Sequence, residues 1–230
     1  MSTVNDWMMA LDQELSGLQA DGVLTSKMIW READYIKPGV SRPTVQRWIA
    51  KATKAGKLKQ VSRGIYLNNQ ALPRPDLAES AQFLRPDSIV SLHTVLSDVG
   101  ALHNPYPIVT AILPLGRFTS PRLGSMDTGK ARYRFFGMPI SVLNAGDEDD
   151  RLDIHYRYPR ATPERALLDW LYFARSPKSK IVAPPMDINL DWMDKRRFHR
   201  LLRAMENKTP GLSTYWQAWY EKWGSYTHDG

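Results

Sequence analysis

The 230-residue chain contains no cysteine. That excludes disulfide frameworks, cysteine-ligated zinc and a thiol nucleophile, and it suits a reducing compartment. There is no apolar run of about 18 residues or more, so no segment is expected to span a membrane. The amino terminus, MSTVNDWMMALDQELSG, has an aspartate at position 6 and spreads its apolar residues at helical spacing, unlike a secretory signal. A cytoplasmic protein with no membrane partner is therefore expected. His93, His103, His155, His199 and His228 form neither H-E-x-x-H nor H-x-x-x-H spacing, and there is no G-x-S-x-G. Zinc chemistry and serine hydrolysis are unsupported. The expectation is a non-enzyme without metal or cofactor.

One further absence is local. No Asp or Glu occurs between Tyr35 and Pro75. The formal net charge is +7 and the pI about 9.6. Residues 1–70 hold ten Lys/Arg against six Asp/Glu, whereas residues 71–230 hold 21 against 18. A positive balance concentrated in one part of a chain points to an anionic partner, nucleic acid first. The hydrophobic fraction of 43% is ordinary for a chain that buries a core.

Within the acid-free stretch lies SRPTVQRWIAKATKAGKLKQVSRGIYL, residues 41–67. Ser41 reads as a helix cap and Pro43 as a first-turn residue, where a missing N–H does no harm. Val45, Trp48, Ile49 and Ala52 share one helix face; Arg42, Thr44, Gln46, Arg47, Lys51 and Lys54 fall elsewhere. Gly56 suits the residue after a helix. Leu58, Val61, Ile65 and Leu67 flank Ser62-Arg63-Gly64, the pattern of a hairpin with a basic tip. Upstream, Trp7, Met8, Leu11, Leu15 and Leu18 predict a helix over 5–19. A second helix is expected from a Thr25 or Ser26 cap to about Tyr35. Three helices and a hairpin follow the order of a winged helix-turn-helix, expected over 1–70.

In that fold the third helix enters the DNA major groove. Arg42 and Arg47 would then read guanine edges, Gln46 an adenine, and Thr44 a thymine methyl. Lys51, Lys54, Lys57 and Lys59 would lie near phosphates. Arg63 would reach the adjacent minor groove or the backbone. The competing reading is a solvated basic face on a winged helix that binds protein, and the missing acids weigh against it.

Residues 71–77, with two prolines, read as a linker. From 78 to 230 the pattern suggests a mixed α/β domain with a helical tail, giving an α+β fold class overall. A helix is expected over 88–101, with Ile89, Leu92, Val95, Leu96 and Val99 on one face. A strand is expected over 108–113, a loop over 114–130, and strands near 131–135 and 140–143. An exposed acidic turn is expected at 147–150, and a helix opened by Thr162-Pro163 follows. The last 40 residues carry two helical stripes: Phe198, Leu201, Leu202 and Met205, then Leu212, Trp216, Trp219, Tyr220 and Trp223.

Several motifs tempt and fail. GSMDTGKA, residues 124–131, nearly matches a phosphate-binding loop, but Ala131 stands at the hydroxyl position. No apolar strand precedes it, and a strand pattern follows where a helix is needed. A Gly-rich hairpin loop is the better account. Asp147-Glu148-Asp149-Asp150 has no Gly-Ser close upstream, as a nucleotidyltransferase would need, and reads as a solvated turn. His93 reads as structural. Lys195, Arg196, Arg197, Arg200 and Arg203 line one side of a helix, either as a charged solvent face or as a contact for DNA or a partner.

Three segments, in order, resemble one family. DGVLTSKMIWREADYIKPGVSRPTVQRWIAKATKAGKLKQVSRGIYL resembles the amino-terminal winged helix of AbiEi-type antitoxins, from type IV toxin–antitoxin and abortive-infection systems. RPDSIVSLHTVLSDVGAL is similar to the helix after that family's linker, and RATPERALLDWLYF to its Pro-Glu-x-Ala-Leu-x-Asp helix. The resemblance covers about residues 20 to 175. It implies a repressor that binds inverted repeats in its own promoter. It also implies antitoxicity against a nucleotidyltransferase-like toxin without a stable complex, and it supplies no catalytic residue. Arg42, Thr44, Gln46, Arg47, Lys51 and Arg63 carry over as DNA-contact positions. Two rivals stay open: a nucleic-acid-processing enzyme targeted by its winged helix, and a winged-helix adaptor that binds protein.

Overall fold

The computed structural model describes residues 6–104, 107–117, 121–176 and 179–228. Asn5, expected to open the first helix, lies outside the described residues. So do 118–120 of the expected 114–130 loop and the last two positions of the expected helical tail. The chain forms two compact units. Met1–Leu84 with Asp127–Ala131 make the first, and Arg85–Met126 with Arg132–Gly230 the second. Helices and two small sheets give an α+β fold.

The first unit runs α1 (Asp6–Glu14), β1 (Val23–Thr25), α2 (Ser26–Ile36), α3 (Arg42–Lys54), β2 (Leu58–Ser62) and β3 (Ile65–Asn68). The strands form an antiparallel sheet in the order β1-β3-β2. Trp7, Leu11, Ile29, Val45, Trp48 and Leu58 meet in one core. Thr25 caps α2 by accepting from the Met28 N–H at 3.1 Å, and Ser41 caps α3. α1 is shorter than its apolar spacing predicts. Gly17 takes a φ of +95° and its N–H donates to the Gln70 carbonyl, so the chain leaves the helix and Leu18 is left exposed. Asn68 is fully buried; its Nδ2 donates to the Leu15 and Asp21 carbonyls at 2.8 and 3.0 Å, fastening β3 to the α1–β1 connection. The unit continues past the proline-rich segment 71–77. A 3₁₀ turn (Ala78–Ser80) and α4 (Ala81–Leu84) bury Ala78, Ala81 and Leu84.

The second unit runs β4 (Ile89–Val90), α5 (His93–Asp98), β5 (Ile108–Leu115), β6 (Gly124–Asp127), β7 (Arg132–Pro139), α6 (Ile140–Leu143), α7 (Glu148–Arg151), α8 (Pro163–Ala174), α9 (Lys195–Glu206) and α10 (Leu212–His228). Its sheet order is β4-β5-β7-β6. β5 and β7 are parallel, Ile108 opposite Arg132 through to Leu115 opposite Pro139. Both are rich in buried apolar residues, as a central parallel pair demands.

Four expectations need correction here. The helix predicted over 88–101 is a strand, a bend and a short helix. Leu92 adopts a φ of 56°, which no helix permits, and the Ser91 N–H donates to Thr110. The strand predicted over 140–143 is α6, because Pro139 ends β7. The loop predicted over 114–130 contains β6; Thr128–Ala131 form the turn after it, with β7 next, so GSMDTGKA opens no helix. The acidic turn at 147–150 is a helical turn whose Asp150 is buried. Arg200 grips Asp150 with two hydrogen bonds of 2.7 and 2.6 Å, from Nε and Nη2.

Buried ion pairs and stacked rings tie the second unit together. Arg165 and Asp169, both enclosed on α8, pair at 2.7 Å, and Ser91 donates to the same carboxylate at 2.7 Å. The Arg165 guanidinium also caps the carbonyls of Val142 and Ala145 at 3.0 Å each. Trp216 and Trp219 are buried, and the Trp219 indole N–H donates to the Pro184 carbonyl at 3.0 Å. The ring centroids of His93 and Trp170 lie 3.8 Å apart. Burial, and then the charge of Arg134, push the His93 imidazole down to about 4. No described helix is long and apolar enough to cross a membrane.

The shift of His93 sets a pH dependence. The unfolded imidazole takes up a proton below about 6.5 that the folded one refuses until about 4. Stability is therefore full above pH 6.5 and falls as pH drops through that window, approaching about 1.4 kcal/mol per pH unit. Urea denaturation at stepped pH is expected to show this decline, and His93→Asn to flatten it. An unchanged profile in that variant would assign the decline to other groups.

Candidate nucleic-acid interface

α3 is held by four buried side chains, Val45, Trp48, Ile49 and Ala52. Successive residues turn by roughly 100°, so the line opposite this stripe runs through Pro43, Arg47, Ala50 and Lys54, all exposed. Thr44 and Lys51 fall on one flank of that line, Arg42 and Gln46 on the other. Arg47 and Lys54 are therefore the cations on the centre line of the outward face, with the small Ala50 between them.

Among the described residues, Lys27, Arg47, Lys51, Lys54, Lys59 and Arg63 are exposed and make no ion pair. Lys57 differs: its Nζ binds Asp12 Oδ2 on α1 at 2.7 Å. Lys57, expected near phosphate, therefore has a carboxylate partner inside the unit, which the other lysines of this face lack. Thr44 is half-buried and its hydroxyl lies 2.8 Å from the Ser41 hydroxyl, so the cap engages it.

The β2–β3 turn is two residues long, Arg63-Gly64, with Ser62 opposite Ile65. Gly64 has a φ of +75°, and its carbonyl accepts the Ser26 N–H at 2.9 Å. The basic tip is thus tied to the first residue of α2 and does not extend as a free arm.

Sequence reading passed over one feature. A cleft of about 280 Å³ between the starts of α2 and α3 is lined by Ser26, Lys27, Trp30, Arg42, Val45 and Gln46. The Arg42 guanidinium lies 5.1 Å from the Trp30 ring centroid, and the Trp30 indole N–H is buried without an acceptor. The two cations, Lys27 and Arg42, make the cleft a fit for an oxyanion. The signal in the sequence was Lys27 and Trp30, three apart on α2, which gain meaning only when α3 brings Arg42 beside them.

Of the basic cluster on α9, Arg197 and Arg200 face Asp150 and Glu164 rather than solvent alone. Lys195, Arg196 and Arg203 stay exposed. No group of three or more His, Asp or Glu among the described residues is arranged to hold a metal.

No family model matches the chain, and no curated protein matches it. Among solved structures, the crystal structure of RV2827C protein from Mycobacterium tuberculosis is similar at a TM-score of 0.47 and 16% identity. The match covers 85% of this chain and 69% of that one.

The different settings of Lys57 and Lys54 are separable by experiment. Lys57→Ala is expected to cost the first unit up to about 1 kcal/mol, the usual ceiling for a partly exposed pair. Lys54→Ala is expected to leave stability unchanged. Urea melts of the two variants check this; equal losses would mean that the Asp12 contact contributes nothing.

Proposed function

We propose that this protein is a sequence-specific DNA-binding repressor whose first unit is a winged helix-turn-helix. The carrying observation is the row of unpaired cations on the outward side of α3, continued by Lys59 and Arg63 on the hairpin. The chain order α1-β1-α2-α3-β2-β3, with β1 beside β3, supports the same reading. α3 would enter the major groove with Arg47 foremost. Arg47 reads a guanine through its bidentate fork, and Gln46 an adenine. Lys51, Lys54 and Lys59 meet phosphates on either side. Arg63, on a turn tied to α2, meets the backbone rather than reaching into the minor groove. The cleft of Lys27, Trp30 and Arg42 takes a further phosphate.

The resemblance to AbiEi-type antitoxins extends this to autoregulation of a toxin–antitoxin operon in the cytoplasm, with inverted repeats as the operator. A nucleotidyltransferase-like toxin would be the functional partner, without a stable complex. Three ordered motifs support that extension; the basic face supports DNA binding independently of it.

Mobility shifts of the full chain on its own upstream DNA, with competitor DNA and a salt titration, test the reading. A specific shift that weakens steeply with salt is expected; its absence would leave the face as a general polyanion anchor. Arg47→Ala is expected to cost about 1–3 kcal/mol on the operator and to relax specificity. Lys51→Ala is expected to weaken all sequences alike and flatten the salt slope by about one. A sequence-selective loss at Lys51 would contradict its phosphate role.

A further inference from the structure

The second unit holds a cavity of about 560 Å³, within the range of small-molecule sites. Leu102, Ile108, Trp170, Val182, Ala183 and Pro185 give it mostly apolar walls. The polar groups are few: His93, Thr110 and Arg134, with His103, Asn104 and Asp187 exposed towards solvent. Thr110 is already committed, since its hydroxyl donates to the Ser91 carbonyl and accepts the Thr94 N–H. His93 lies against Trp170 with the rings tilted by 35°, and its Nδ1 is buried without a partner.

Arg134 is the anomaly. The other half-buried or buried arginines of this unit each have oxygen partners. Arg160 binds Asp98, Arg165 binds Asp169, and Arg197 faces Asp150 and Glu164. Arg85, Arg151 and Arg175 donate to backbone carbonyls. Among the described residues Arg134 has no such partner; its guanidinium rests on the Phe136 ring, 4.8 Å from the centroid. Asp187 shares the cavity without pairing to it. A half-buried guanidinium with an unfilled fork, at the wall of an apolar cavity, is a receptor for a planar oxyanion.

We infer that this cavity binds a small organic monocarboxylate with an aromatic or branched apolar body. The carboxylate takes the fork of Arg134, and the body packs on Ile108, Leu102 and Val182. Asp187 penalises a second negative charge, which favours a carboxylate over a phosphate dianion. His93, whose folded imidazole stays neutral down to about pH 4, brings no second cation to the cavity. The site is independent of the DNA-binding reading and gives the second unit a chemistry of its own.

Calorimetry on the full chain tests this with indole-3-acetate and its uncharged counterpart, indole-3-ethanol. The acid is expected to saturate with a Kd of about 1 mM or tighter, and the alcohol to bind at least about tenfold more weakly. Arg134→Gln is expected to abolish that preference. Arg132→Gln, an exposed arginine two residues away on the same strand, is expected to keep it. Equal binding of acid and alcohol, no saturation by the acid, or an acid preference that survives Arg134→Gln would overturn the assignment. The acid–alcohol comparison on the unaltered chain decides the matter even where Arg134→Gln fails to fold.

Discussion

Val45, Trp48, Ile49 and Ala52 hold one side of α3 in the core of the first unit. A helix held by four side chains over about two turns cannot rotate without bringing one of them into water. Exposing a single large apolar side chain costs about 1.5–3 kcal/mol, so the rotation is fixed to within a fraction of a residue step. Everything on the outward side follows from that constraint. Arg47 and Lys54 point away from the core because they stand opposite Trp48 and its neighbours, not because anything pulls them outward. Asn68 adds a second constraint, closing two backbone carbonyls at the α1–β1 connection so that β3 keeps its place beside β1.

The two units treat positive charge in opposite ways. In the second, Asp150, Glu164 and Asp169 take up Arg200, Arg197 and Arg165, and the fold spends those charges on itself. In the first, Asp12 takes up Lys57, and among the described residues the cations of α3 and the hairpin form no other ion pair. Unpaired like charges on one face repel each other, and a stable fold carries that cost most simply when an anion outside the chain relieves it. Composition alone could not separate the two cases. The cluster on α9 and the cluster on α3 look alike as strings, and only the carboxylates that α7 and α8 bring to α9 distinguish them.

Legibility in the sequence tracked how much each element depends on distant residues. α2, α3 and α8 were readable because cap and apolar stripe lie together in a dozen residues, with a first-turn proline as well in α3 and α8. β1 was not: three residues cannot display alternation, and Val23–Thr25 is a strand only because β3 pairs with it. The region 88–101 misled because Ile89, Leu92, Val95, Leu96 and Val99 do fit a helical face. The left-handed backbone at Leu92 is imposed by pairing of the neighbouring residues with β5, and no local pattern encodes that. Asp150 misled for the same reason, since its arginine partner lies 50 residues on. At the candidate interface the outward residues of α3 were legible. The engagement of Lys57 by Asp12 and the cleft of Lys27, Trp30 and Arg42 were not, since each joins two separate helices or a helix and a loop.

On DNA, α3 would offer limited specificity. With Arg42 drawn to the Trp30 cleft, Arg47 and Gln46 are the exposed side chains left on α3 that suit bidentate contacts to base edges. Each such contact discriminates by about 1–3 kcal/mol. Two together supply at most about 6 kcal/mol, the lower part of the 4–10 that separates specific from non-specific binding. The lysines add affinity but no discrimination, and they add it on every sequence. A single copy would thus be held on DNA more by charge than by sequence. Two copies on an inverted repeat double the base-reading energy while sharing one operator. Within the proposed DNA-binding function, the scarcity of base-reading side chains on α3 therefore favours a palindromic site occupied by a pair of chains.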